Sequence, residues 1–223
     1  MEVGANDGAQ HDHLRSCILS RAWRGVMVEP VPYVFERLRR NYAHLPRVAL
    51  ENGAVGERDG SLPFYHLVDA SPAERRRLPD WYDGIGSFSV DTVMSHEPDI
   101  PDICDRLRSV EVPTLTFDSL CRKHEIEQVD LLVVDTEGYD WEIISRIDFS
   151  RWRPQLVIYE HFHFSPAVRV ECARYLGDHG YELMEEGFDT FCLKPTAAND
   201  ALLRTWRQLE PAVRAVFKNG EGR

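Results

Sequence analysis

Residues 129–140 read VDLLVVDTEGYD, and the character of this stretch decides the fold. Leu131 to Val134 form an unbroken apolar run held between Asp130 and Asp135. A strand with one solvated face would alternate apolar and polar residues. A continuous run instead suits a strand covered on both faces, as in a parallel sheet. Val26–Glu29 (VMVE), Val48–Leu50 and Leu156–Glu160 (LVIYE) repeat the pattern, and three of the four runs end on a carboxylate. Helical patterns fill the intervals. Phe35, Leu38 and Tyr42 share a face behind Pro32, a residue suited to a helix start. Trp141, Ile143 and Ile144 follow Gly138, and Ala167–His179 makes a third helix closed by Gly180. Such alternation predicts an α/β fold around a parallel sheet. Near the end, Tyr181–Glu185 and Thr190–Leu193 flank the Glu186-Gly187 turn, a spacing that only an antiparallel hairpin satisfies. Asn199–Phe217, with Leu202, Leu203, Trp206, Leu209 and Val213, predicts a terminal helix.

Composition narrows the classes. A chain of 223 residues, 43% hydrophobic, suits a single domain (1–223) with a substantial core. Its net charge of −11 argues against a nucleic-acid partner, whose phosphates call for a basic surface. The five cysteines (Cys17, Cys104, Cys121, Cys172 and Cys192) are scattered and contain no CxxC pair. Neither a disulfide framework nor a structural zinc is expected, and a reducing, cytoplasmic setting fits. No apolar run approaches the ~18 residues of a membrane span, and the opening residues lack the regions of a secretory signal. One segment interrupts the rhythm: residues 68–112, rich in Pro, Asp, Gly and Arg, are too long for an ordinary connection. Because they carry Trp81, Tyr82, Ile85 and Phe88, they are expected to form a lid or substrate loop rather than a solvated insertion.

In a parallel α/β sheet, ligands bind beyond the carboxyl ends of the strands, which directs attention to the residues closing each run. Glu2-Val3-Gly4-Ala5-Asn6-Asp7-Gly8 is a glycine-bracketed turn of spacing E-x-G-x-x-x-G, suited either to a ligand or to a plain tight turn. Glu29 stands 21 residues past Gly8, close to the offset at which a carboxylate grips ribose hydroxyls. Asn52, Gly53 and Ala54 end the next strand, where an amide and two small residues leave room for a flat base, or simply form an Asn-Gly turn. Asp135 and Glu137 make a negative patch suited to a cationic cofactor centre, a divalent metal or a helix start. In Glu160-His161-Phe162-His163, the imidazole of His161 could serve as a base, and the pair of histidines also resembles metal ligands, a reading not favoured here.

Taken in order, VGANDG (3–8), VEPVPYVFERLRRN (28–41), ENGAVG (51–56), PTLTFDSL (113–120) and VDLLVVDTEGYDWEII (129–144) resemble the FkbM-type methyltransferases. These are class I enzymes dependent on S-adenosylmethionine (SAM). The resemblance implies a Rossmann-like, seven-stranded sheet of order 3-2-1-4-5-7-6 whose last strand is antiparallel. It further implies that Glu2, Gly4, Asn6, Asp7 and Gly8 hold the methionine part of SAM, and that Glu29 holds the ribose. Asn52, Gly53 and Ala54 would then lie beside the adenine, and Asp135 near the sulfonium and its methyl. The chain departs from the family in two places. GAQHDHLRS stands where relatives commonly carry a Ser or Thr, leaving His11 and His13 to face the site or cap a helix. Val133 takes the place of a frequent Lys.

The expected activity is methyl transfer to a hydroxyl of a small metabolite or sugar, with His161 as first choice of base. Asp135, Glu137 and Glu160 are second candidates, and His96 is a third if the insertion closes over the site. A nicotinamide oxidoreductase is disfavoured by the glycine spacing and the terminal hairpin. A non-catalytic SAM-binding protein would not need Glu160-His161 beside an aromatic insertion. The apolar residues of the terminal helix would serve a homodimer. Two or three residues before Gly4 leave the central first strand short, so residues upstream of Met1 are expected.

Overall fold

The apolar runs become the middle of one large sheet. The protein is seen as a computed structural model that describes residues 1–10, 12 and 14–218. His11 and His13 lie outside the described residues. The chain begins with β1 (Glu2–Val3), α1 (Arg15–Ser20), β2 (Gly25–Val28), α2 (Pro32–Tyr42) and β3 (Val48–Glu51). Next come β4 (Ala54–Val55), β5 (Gly60–Leu67), α3 (Pro72–Arg75), β6 (Gly86–Ser87), α4 (Val90–Met94), α5 (Ile103–Arg106) and β7 (Leu107–Leu115). Then follow α6 (Phe117–Lys123), β8 (Leu131–Val134), α7 (Asp140–Ile144), β9 (Leu156–Glu160) and α8 (Pro166–Asp178). The hairpin of β10 (Glu182–Glu186) and β11 (Asp189–Leu193) and the helix α9 (Asp200–Lys218) complete it.

Seven strands form the large sheet, in the order β10-β11-β9-β8-β1-β2-β3. β1, β2, β3, β8 and β9 pair in parallel, whereas β11 runs antiparallel to both β9 and β10. In chain numbering the order is 3-2-1-8-9-11-10 rather than 3-2-1-4-5-7-6, because the strands of a second sheet lie between β3 and β8 in sequence. β1 is short, as expected, with two residues between β2 and β8. Its ladder is continued by Met1, whose carbonyl accepts from Val133 N at 2.9 Å. The continuous apolar runs are explained by burial on both faces. Val26 and Val28 join Val3, Leu132, Val134 and Val157 in one core cluster, while Met27, between them, packs with Leu38, Tyr42 and Val48 of the other.

The second sheet, of order β4-β7-β5-β6, gives residues 68–112 regular structure of their own. β5 and β7 are antiparallel from Gly60↔Thr114 to Leu67↔Leu107. Between them, α3, β6, α4 and α5 enclose a separate core of Leu67, Tyr82, Ile85, Val93, Ile100 and Ile103. The segment looked irregular because β7 (LRSVEVPTL) is half-solvated and mixes charge with apolar residues, and because Pro63 and Pro113 punctuate both strands.

A charged latch ties this layer to α2. Asp83, 7% exposed, accepts from Arg37 Nη1 at 2.7 Å, from Tyr33 Oη at 3.3 Å and from the Arg75 guanidinium. Removing one member of a buried ion network strands the others, but here both arginines are partly solvated, which discounts the cost. Asp83→Ala is therefore expected to destabilise by about 2 kcal/mol. Thermal denaturation should show a melting point roughly 4–8 °C lower.

α8 is capped by Ser165, whose hydroxyl accepts from Val168 N, and its span of Pro166–Asp178 lies within a residue of the predicted bounds at each end. α9 packs on β10 through buried Leu203 and the Arg207–Glu182 pair, while Leu202 and Leu209 stay exposed. Among the described residues, no helix is long and apolar enough to cross a membrane.

Candidate functional site

A cleft, open on one side, lies over the carboxyl ends of β1, β2 and β8 and is roofed by the second sheet. Its floor is built from Gly4, Asn6, Glu29, Gly53, Ala54 and Asp135, six of the residues anticipated for cofactor binding. Gly84, Gly86 and Phe88 roof it, and Thr136, Glu137 and Tyr139 complete its far wall. The chain reverses at Gly4 with φ +83°, and a Cβ there would collide with the carbonyl of Asp135. Only glycine lets β1 and β8 close together at this point. Asn6 (φ +48°) and Glu137 (φ +51°) hold left-handed backbone without being glycine, and both line the cleft. Strain of this kind persists where surrounding structure enforces it, commonly at ligand sites.

Glu29 is the anchor of the floor. Its Oε2 accepts from Asn6 N at 3.0 Å and its Oε1 from Val31 N at 2.8 Å, so the turn after β1 is shaped by the acid ending β2. Burial pushes its carboxyl up to about 8, against the pull of those two amides. Each oxygen retains acceptor capacity for a hydroxyl.

Four other anticipated residues serve the frame instead of the floor. Glu2 lies beside a different cavity at the amino ends of the strands, near Gly25 and Leu131, and its buried carboxyl is pushed up to about 8. Asp7 caps its own turn, Oδ1 accepting from Ala9 N and Gln10 N at 2.8 Å each. A Cβ at Gly8 would sit 2.6 Å from both Leu38 and Tyr42, so that glycine admits α2 rather than a ligand. Asn52 donates to the carbonyls of Glu29 (2.9 Å) and Pro30 (3.3 Å), holding the loop that carries Glu29.

The electrostatics of the site come from a row of acids. Val134 pairs with Tyr159 at the end of the β8–β9 ladder, and Asp135 and Glu160 are the residues that follow. Asp189 of β11 pairs with Glu160 from the other side. Solvent reaches Asp135 through the cleft, yet the protein around it raises its carboxyl well above the ordinary range, with Glu137, Asp140 and Asp189 adding repulsion. Burial, then Asp135 and Glu137, push Glu160 up to about 10. Asp140, fully buried and accepting from Thr136 Oγ1 at 2.9 Å, is pushed up to about 7 by burial. Burial and mutual repulsion oppose the ionisation of these acids, and a cation in the cleft would relieve both.

The histidines are not where the sequence suggested. His161, the expected base, is 4% exposed, does not line the cleft, and bonds Thr190 Oγ1 through Nδ1 at 2.8 Å. Its backbone N donates to Phe188 O, fastening the turn to β11. His163, two residues on, is the one that turns to the cleft wall, its Nε2 2.9 Å from Glu137 Oε2 and 3.9 Å from Glu160 Oε2. His96 arrives from the second sheet's layer, with its ring centroid 5.8 Å from that of His163 and 5.2 Å from that of Trp81. Burial holds the His96 imidazole below its ordinary pKa. The cleft's aromatic walls, Phe64, Phe88 and Tyr139, were not expected as site residues; only Phe88 and the TEGYD motif hinted at them.

Fold and cleft together define an α/β protein with one reversed strand in a mostly parallel sheet and a ligand site at the carboxyl edge. The match of residues 2–183 to the family described as the methyltransferase FkbM domain narrows the class: the chain belongs to that family. Among solved structures it is similar to precorrin-6y C5,15-methyltransferase from Geobacter metallireducens GS-15. That likeness has a TM-score of 0.39 and 14% identity, covering 87% of this chain and 78% of that one. No curated protein sequence gives a significant match.

Proposed function

We propose that the protein transfers the methyl group of SAM to a hydroxyl of a small acceptor. The observation carrying this reading is the row of acids closing β8 and β9, with Asp135 lining the cleft and raised by burial and by its acidic neighbours, which suits a sulfonium cation. In this reading the methionine end of SAM rests on the Gly4–Asn6 turn, the ribose on Glu29, and the adenine beside Gly53 and Ala54. The acceptor oxygen loses its proton to Asp135, the carboxylate that lines the cleft at the end of β8. The oxygen then forms a bond to the methyl carbon as the carbon–sulfur bond breaks. The electron pair returns to sulfur, leaving S-adenosylhomocysteine and a methyl ether. His161 has no part in the step; it holds the turn after β9 against β11.

The protonation argument makes SAM binding pH-linked. A carboxyl raised in the free protein and ionised beside the sulfonium must give up its proton on binding, so affinity should rise with pH. Between about pH 6 and 8.5, below the value of about 10 to which Glu160 is raised, SAM is expected to bind more tightly with each step upward. Calorimetry in buffers of different ionisation enthalpy should report protons released. Affinity that is flat or falls with pH would contradict the reading. Acceptor chemistry is tested separately, with methyl-tritiated SAM and a panel of sugars, polyols and amines. Label confined to amine nitrogen would overturn the hydroxyl assignment.

A further inference from the structure

The far wall of the cleft holds a group that the methyl-transfer step above does not use. His96, Glu137 and His163 each offer one ligand atom, and all three atoms lie within 4.8 Å of one another. They come from three separate parts of the chain: the layer between β6 and β7, the turn after β8 and the turn after β9. Two features set this group apart from a chance meeting of polar residues. Nε2 of His96 is buried with no hydrogen-bond partner, although an imidazole nitrogen shut away from water normally finds one. Glu137, between the two histidines, is held in left-handed backbone, with its carbonyl accepting from Ser87 Oγ at 3.1 Å. Oε2 of Glu160, also buried without a partner, stands 3.9 Å from His163 as a further oxygen donor.

We propose that His96, Glu137 and His163 bind one divalent first-row cation at the edge of the cleft. Two imidazoles and a carboxylate suit zinc, cobalt, manganese or iron(II) better than magnesium or calcium, which favour all-oxygen sites. In tetrahedral coordination at about 2.1 Å, ligand atoms lie about 3.4 Å apart, so the observed group closes with side-chain shifts of about 1 Å. Three protein ligands leave a position open, as catalytic sites do. Glu137 also lines the cleft, so that open position can face the acceptor. Resting on the methyltransferase reading, the cation then fixes the acceptor hydroxyl and lowers its pKa before Asp135 takes the proton. The site also gives the second sheet a function, since His96 completes it only when that layer covers the cleft.

The probe is Co²⁺, titrated into the metal-stripped full chain while visible absorption is followed, with Zn²⁺ as competitor. The expected result is one equivalent of Co²⁺ with ligand-field bands that Zn²⁺ abolishes. His96→Ala, Glu137→Gln and His163→Ala should each weaken Co²⁺ binding at least 10-fold, while the exposed His44→Ala leaves it unchanged. SAM affinity measured on the same variants separates the two claims. Loss of Co²⁺ binding with SAM binding retained supports the cation site by itself. If SAM fails to bind the parent chain, the function reading falls and the Co²⁺ result still stands. Absence of saturable Co²⁺ binding, or equal loss in His44→Ala, would overturn the proposal.

Discussion

Glu29→Ala is expected to lose at least 100-fold in SAM affinity while remaining folded. A hydrogen bond to a charged group contributes about 1.5–3 kcal/mol, and a carboxylate gripping both ribose hydroxyls makes two. The sum corresponds to a loss of roughly 100-fold or more. Folding should survive because Glu29 is a strained investment of its own: burial has driven its carboxyl to about 8, so its removal relieves a desolvation cost. That relief offsets the acceptors lost by Asn6 N and Val31 N. Glu29→Gln keeps one carbonyl oxygen for an amide and should fall between parent and alanine. Calorimetric titration with SAM beside a thermal melt separates binding from folding. Unchanged SAM affinity in Glu29→Ala would reduce Glu29 to a prop for the turn.

Gly4→Ala should have the largest effect on the fold itself. Alanine at φ +83° costs about 1–2 kcal/mol in backbone strain alone. Its Cβ would also run into the Asp135 carbonyl, which belongs to backbone at the end of β8 and has no rotamer to escape into. β1 and β8 must then separate at the centre of the sheet, where Asp135 N donates to Val3 O at 2.9 Å. A melting point lower by roughly 10 °C or more is expected, with loss of soluble yield. Gly25→Ala is the control, because a Cβ there meets nothing within 4 Å, and its melting point should stay within a degree or two. Equal behaviour of the two variants would mean that the close approach at Gly4 carries no weight.

The large sheet was legible because its strands are buried on both faces, and two-sided burial leaves a mark that local composition cannot imitate. LLVV and LVIY had no other reasonable fate, and the Glu186-Gly187 turn forced the hairpin that reverses β11. The second sheet was illegible for the opposite reason. Strands β5 and β7 each present one face to water, so their apolar content is halved, and proline in each disguises the ladder.

At the site, Glu29 could be found because ribose recognition fixes its offset from the glycine turn. Gly8 could not be told from a ligand contact, since a glycine that admits a helix and one that admits a cofactor look alike in sequence. His161 and His163 were confused by parity. The first residue after β9 turns under β11 to Thr190, and the third reaches the cleft wall. His96 can be named from the sequence as a third candidate base on the insertion, but its place beside His163 depends on contacts far apart in the chain, which no local pattern encodes.

The most direct test of the central claim, that the cleft is a SAM site floored by Glu29 and Asp135, is a calorimetric titration of the folded chain near pH 8. One equivalent of SAM binding saturably, displaced by S-adenosylhomocysteine and indifferent to NAD⁺, is the expected result. A folded protein that gives no SAM binding, or that takes NAD⁺ in its place, would contradict it.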